Sequence, residues 1–98
     1  MVMRAKKIYC VVAYDIRKSK RRQQVVKLLT PFGRRVNKSV FECLFSDAQL
    51  ARLRLDLQNI IVKKEDQVAI YPICVNCYAR SVYIPAIRND FSAVHVFD

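Results

Sequence analysis

Two segments of the chain, residues 8–16 and 68–75, are apolar on both of their alternating sets of side chains. In the first, Ile8, Cys10, Val12 and Tyr14 form one set and Tyr9, Val11 and Ala13 the other; in the second, Val68, Ile70 and Pro72 alternate with Ala69, Tyr71 and Ile73. Val, Ile and Tyr at this density over eight or nine residues read as buried strands. A strand in a two-layer sandwich needs an apolar set only toward its helices, so the second set requires a cover of its own. The chain has 98 residues, enough for one core and too few for two. The predicted cover is therefore a second copy, packed sheet face to sheet face about a two-fold axis. A loop or the C-terminal tail is the alternative cover.

Between these strands the periodicity changes. After Lys18, Val25, Leu28, Leu29 and Phe32 recur at helical spacing, with Lys20, Gln23, Gln24 and Lys27 on the opposite side. Gly33, the only glycine, falls where a helix C-cap is expected. Residues 34–46 read as two short antiparallel strands with a corner at 37–39, or as one bent strand with a bulge. Ser46 followed by Gln49 predicts a capping box and a helix to about Ile61, with Leu50, Leu53, Leu57 and Ile60 as its buried stripe. Residues 81–84 predict a further short strand ended by Pro85. The fold class that follows is α+β, a ferredoxin-like βαββαβ two-layer sandwich with an extra C-terminal strand, assembled as a face-to-face homodimer. Its domain spans residues 1–85, and 86–98 form a tail in which Val94 and Val96 alternate enough for a short strand.

Charge narrows the class of partner. The formal net charge is +10, and residues 1–40 carry twelve basic side chains against a single acid, Asp15, whereas 41–98 carry six basic and seven acidic ones. One-sided accumulation of this kind points to a polyanion held by phosphate neutralisation and counterion release, namely nucleic acid. The candidate contacts are Arg17, Lys18, Arg21, Arg22, Arg34, Arg35 and Lys38. An anionic membrane surface is the rival, but no long amphipathic helix with an exposed aromatic edge accompanies the charge. No run approaches the length of a membrane span and no signal peptide is recognisable, so the expected location is the cytoplasm.

Few residues are available for catalysis. The sole histidine, His95, lies near the C-terminus, which rules out assembling a Ser-His-Asp set, and one glycine cannot make a glycine-rich phosphate loop. Cys10 and Cys43 sit in apolar strands as small hydrophobes. Cys74 and Cys77 form a CxxC without a second ligand pair, so a strand-to-turn junction is preferred over metal or redox chemistry. Asp15 follows the first strand and precedes the densest basic segment. It reads either as a turn or salt-bridge residue among Arg17, Lys18, Arg21 and Arg22, or as a ligand for a hydrated Mg²⁺ or Mn²⁺, two copies meeting across a dimer axis. Metal-dependent hydrolysis of a phosphodiester is the catalytic option that remains, with Tyr14 and Phe41 as stacking candidates.

Three stretches, Val12-Ala13-Tyr14-Asp15-Ile16, Arg35-Val36-Asn37-Lys38-Ser39-Val40-Phe41-Glu42 and Ile70-Tyr71-Pro72-Ile73-Cys74, resemble in order and spacing the CRISPR-associated protein two family. The resemblance covers roughly residues 8–84. It implies a ferredoxin-like homodimer that joins the CRISPR-associated integrase and holds DNA for insertion as a new spacer; some members are described as metal-dependent endonucleases acting on single-stranded RNA or duplex DNA. It also implies a metal-binding role for Asp15 and catalytic positions at Tyr14, Arg22, Arg35 and Phe41. Where some nuclease-active members have a second arginine two residues beyond the first, this chain has Gln24, a departure that weakens hydrolysis more than binding. Three functions follow as expectations: a DNA-binding scaffold bridging the integrase, a metal-dependent endonuclease centred on Asp15, and a stand-alone RNA- or anion-binding regulatory or toxin-like domain without catalysis.

Overall fold

The computed structural model describes residues 6–85. Four strands, β1 (Ile8–Asp15), β2 (Gly33–Asn37), β3 (Val40–Phe45) and β4 (Gln67–Ile73), form one antiparallel sheet in the order β2-β3-β1-β4. Helices α1 (Ser19–Leu29) and α2 (Asp47–Ile60) make the two crossovers, so the element order is the expected βαββαβ. Both helices lie on one face. Val25 and Leu29 of α1 and Leu53 and Leu57 of α2 pack on Cys10, Val12, Tyr14 and Ile16 of the first strand region and on Phe41, Cys43 and Phe45 of β3. This is the stripe-on-strand match that the two periodicities require.

The register explains which residues share a face. Cys10 pairs with Cys43 and Val12 with Phe41, all toward the helices. On the other side of β1, Val12 pairs with Ile70 and Tyr14 with Val68. Pro72 is placed in the edge strand β4, where a missing N–H is tolerated. The predicted corner forms between β2 and β3, with a register irregularity between Arg35 and Asn37. The Ser46 capping box is present in full: Gln49 N donates to Ser46 Oγ at 3.1 Å, and Ser46 N donates to Gln49 Oε1 at 2.8 Å.

Three local expectations are corrected. Gly33 does not cap α1. A 3₁₀ turn over Thr30–Phe32 follows the helix, and Gly33 begins β2 in extended conformation (φ −176°). What requires glycine there is space: a Cβ would meet the Glu42 carbonyl oxygen at 1.9 Å and Cys43 Cα at 2.7 Å. Next, β4 ends at Ile73, and Cys74 becomes the N-cap of a short helix α3 (Val75–Ala79) that the sequence pattern did not show. Its Sγ accepts the Cys77 N–H, a local bond that competes with continuation of the strand. Finally, the extra C-terminal strand expected over 81–84 is absent, with no ladder partner beside it among the described residues. Val82 and Ile84 are exposed there while Tyr83 turns inward. The alternation at Val94 and Val96 lies outside the described residues.

Among the described residues, the sheet face away from α1 and α2 is covered only in part. Tyr78 of α3 lies on Tyr9 of β1 with ring centroids 4.4 Å apart. Tyr83 donates to Glu42 Oε2 at 2.5 Å, and Arg34, the cross-strand partner of Glu42, closes a salt bridge at 3.2 Å. Both partners satisfy a carboxylate that would be costly to bury alone. Tyr71, on β4, remains more than half exposed.

Candidate nucleic-acid interface

The β2-β3 hairpin and the outer side of α1 bound a cleft of about 540 Å³. Among the described residues, every charged side chain lining it is basic: Lys20, Arg22 and Lys27 from α1, Arg35 from β2 and Lys38 from the hairpin corner, with Gln23 and Gln24 between them. The two walls are set by simple periodicity. Lys20, Gln24 and Lys27 recur on the helix side opposite Val25 and Leu29. Successive strand residues face opposite ways, so Arg35 turns to the cleft beside Phe41 while Arg34 turns to the other face and Glu42.

The floor of the cleft is fixed. Tyr14 donates its hydroxyl to the Lys38 carbonyl at 3.0 Å, and its backbone N–H donates to the Ser39 carbonyl at 3.0 Å, tying β1 to the hairpin corner. The Arg35 guanidinium lies 5.8 Å from the centroid of the Phe41 ring. Arg22 donates to the carbonyls of Ile16 at 2.8 Å and Arg17 at 3.0 Å, which holds the guanidinium at the mouth of the cleft without neutralising it. The stacking expected of Tyr14 and Phe41 is not compatible with their positions. Their rings are 5% and 2% exposed, 6.4 Å apart in the core, so they support the cleft from below.

The residues expected to act together are split by the sheet. Arg22, Arg35 and Phe41 belong to the helix side, whereas Asp15 is exposed beside Ala13, Gln67, Ala69 and Tyr71 in a second depression of about 230 Å³ on the open side; Tyr14, the residue before it in β1, lines both depressions while its ring packs in the helix-side core. Asp15 takes no part in a salt bridge with Arg17, Lys18, Arg21 or Arg22.

Arg21 has a different partner. Its Nε donates to Asp66 Oδ2 at 2.7 Å and its second guanidinium nitrogen reaches Glu65 at 2.8 Å. Asp66 also accepts the backbone N–H groups of Arg17 at 3.0 Å and Val62 at 2.9 Å, and its side chain is fully buried. The Arg21 hydrogen bond holds the Asp66 carboxyl well below the usual carboxylate range, despite burial. Asp66 in turn raises Arg21. Of the seven residues expected to touch phosphate, Arg22, Arg35 and Lys38 therefore line the cleft, Arg17 and Lys18 are exposed outside it, and Arg21 and Arg34 are held by carboxylates. Lys20 and Lys27 were not among those seven. Helical spacing had placed both on the polar side, and what was missing was the hairpin that faces them.

This sheet order and hairpin have clear relatives. The family model described as CRISPR associated protein Cas2 matches residues 8–81. The chain belongs to the Cas2 family. A Rhodospirillum rubrum protein named CRISPR-associated endoribonuclease Cas2 4 is 44% identical over 70 residues, which are 71% of this chain and 56% of that protein, so the match spans just over half of that relative. The crystal structure of Streptococcus pyogenes Cas2 superposes with a TM-score of 0.70 at 31% identity, covering 76% of this chain and 96% of that one. A chain of a partial Cas6-RT-Cas1–Cas2 complex gives a TM-score of 0.68 at 24% identity over 80% of this chain and 85% of that one, a likeness of fold. None of the helices among residues 6–85 is long and apolar enough to cross a membrane.

Proposed function

We propose that this Cas2-family chain acts in CRISPR adaptation by gripping a nucleic-acid backbone in the cleft between α1 and the β2-β3 hairpin. The observation that carries the reading is the charge of that cleft, five basic side chains and no acidic one among the described residues. Lys and Arg on two rigid walls suit phosphates at fixed spacing, and the absence of exposed aromatic rings at the floor suits backbone contact rather than base stacking. A homodimer would present two such clefts and bridge the CRISPR-associated integrase, DNA being the principal ligand and RNA a second one.

Nuclease activity is the second part of the proposal, supported by the endoribonuclease name of the R. rubrum relative. The residues present fit a hydrated divalent cation at Asp15 only in a pair of chains. One exposed carboxylate is too few for a dedicated cage, and among the described residues no three Cys, His, Asp or Glu converge. Asp15 nevertheless stands on the open sheet face, where a second copy would bring a second Asp15. There Mg²⁺ or Mn²⁺ would supply Lewis-acid activation of a phosphodiester. The chain's own contribution is to hold the substrate backbone by Arg22, Arg35 and Lys38 and to keep that grip rigid through Tyr14 and Phe41. Asp15→Asn should abolish Mg²⁺-dependent cleavage of labelled single-stranded RNA and duplex DNA while leaving gel-shift affinity within about two-fold, since Asp15 lies outside the cleft. Equal cleavage by the variant removes the enzyme reading, and loss of binding by the variant removes the separation of the two sites. Failure of the protein to bind either nucleic acid removes the backbone-gripping reading and favours the stand-alone regulatory domain in its anion-binding form.

A further inference from the structure

The four cysteines divide into two unlike pairs. Cys10 and Cys43 are fully buried and face one another across β1 and β3, and burial pushes both thiols up, Cys43 to about 12. Cys74 and Cys77 are exposed, one helical turn apart at the start of α3. Cys77 N donates to Cys74 Sγ at 3.3 Å, and the Cys74 carbonyl accepts the Tyr78 N–H at 2.9 Å, so the turn that brings the two thiols together is already formed. The bond from the Cys77 N–H, with the neighbouring thiol, lowers Cys74, while the same neighbour raises Cys77. One sulfur is thereby prepared to attack and the other to follow.

We propose that Cys74 and Cys77 form a reversible dithiol–disulfide pair that clasps the segment over the open sheet face. The co-reactant is a low-molecular-weight disulfide. The Cys74 thiolate attacks one of its sulfurs, breaking the external S–S bond and releasing one thiolate. Cys77 gives its proton to solvent and its sulfur then displaces the second external thiolate from Cys74. Two protein thiols become one disulfide, and one external disulfide becomes two thiols; an external dithiol reverses both steps. The covalent loop closes the turn that carries Tyr78 onto Tyr9 and leads into Tyr83, whose hydroxyl is bonded to Glu42. Oxidation thus tightens residues 74–83 against the sheet. The cleft on the far side of the sheet plays no part in it.

The test uses the full chain in buffers of oxidised and reduced glutathione, quenched with acid, alkylated and mapped by peptide mass spectrometry. The expected product is a Cys74–Cys77 disulfide with Cys10 and Cys43 still reduced. Cys77→Ser should stop at a stable glutathione adduct on Cys74, and at neutral pH Cys74 should be alkylated faster than Cys77. Tryptic cleavage after Arg80, inside the clasp, should slow about three-fold or more on oxidation. Glutathione on both cysteines without an internal disulfide, or Cys77 reacting as fast as Cys74, overturns the pair. An unchanged rate of cleavage after Arg80 overturns the clasp.

Discussion

At the scale of single residues, the sharpest separation is between basic side chains held by an acid and those that are not. Asp66 was not among the residues that the sequence singled out, because nothing in a Lys-Lys-Glu-Asp run says which carboxylate will be buried. The fold decides it: the loop between α2 and β4 passes the start of α1, and Asp66 receives two backbone N–H groups together with Arg21. Its pKa is lowered on folding, so it contributes stability that is full above the ordinary carboxylate pKa and is lost as pH falls through the lower, folded value. Asp66→Asn leaves Arg21 without its fully buried counter-charge and should lower the thermal midpoint at pH 7 by about 10 °C or more. Scanning calorimetry from pH 7 to pH 3 should show the gap between variant and parent narrowing below about pH 4, as the parent loses what the variant never had. A constant gap across that range would mean that the carboxylate charge is not what Asp66 contributes.

The elements were legible to the extent that their determinants are local. The capping box at Ser46 and the stripe through Leu53 and Leu57 appear as the sequence suggests, because each depends on residues within one or two turns. Gly33 shows where that stops. A glycine after a helix suggests a cap, yet its cause lies on another strand, in the Glu42 carbonyl that leaves no room for a Cβ. Gly33→Ala must push β2 from β3 at the Gly33–Cys43 pair, where the obstructing atoms are backbone and cannot turn aside. The expected cost is about 2–4 kcal/mol, read as a shift of the urea midpoint. The same displacement moves Arg35 along β2, so affinity for duplex DNA should fall in variant that is still folded. A midpoint within error of the parent would show that the hairpin accommodates the methyl group. The short helix α3 was missed for a related reason: Tyr71 to Val75 reads as continuous strand until Cys74 accepts the Cys77 N–H and ends it. The candidate site was legible by composition but not by partition, since alternation along β1 and β2 sends Tyr14 and Asp15, and Arg34 and Arg35, to opposite faces.

For the whole molecule, the two sheet faces have different work. The helix face supplies the core and, at its rim, the basic cleft; the open face carries Asp15 and an apolar surface that, among the described residues, Tyr78 and Tyr83 cover only near Tyr9 and Glu42. Tyr71, 54% exposed on β4, lies in the uncovered part. Placing a charge there with Tyr71→Glu should leave the chain folded, because the side chain is outside the core, and should convert the proposed homodimer into a monomer in sedimentation equilibrium at micromolar concentration. The nucleic-acid measurement adds a check that oligomeric state alone does not give. Each cleft cation that neutralises a phosphate adds about 0.9 to the slope of log K against log salt on duplex DNA. If a dimer lays both clefts on one duplex, the monomeric variant should bind with about half the parent's slope, whereas Lys20→Ala or Lys38→Ala should lower the slope by about one per cleft without changing the mass. A monomer that keeps the full slope would mean that one cleft is the whole binding unit, and that the second copy serves the open face alone.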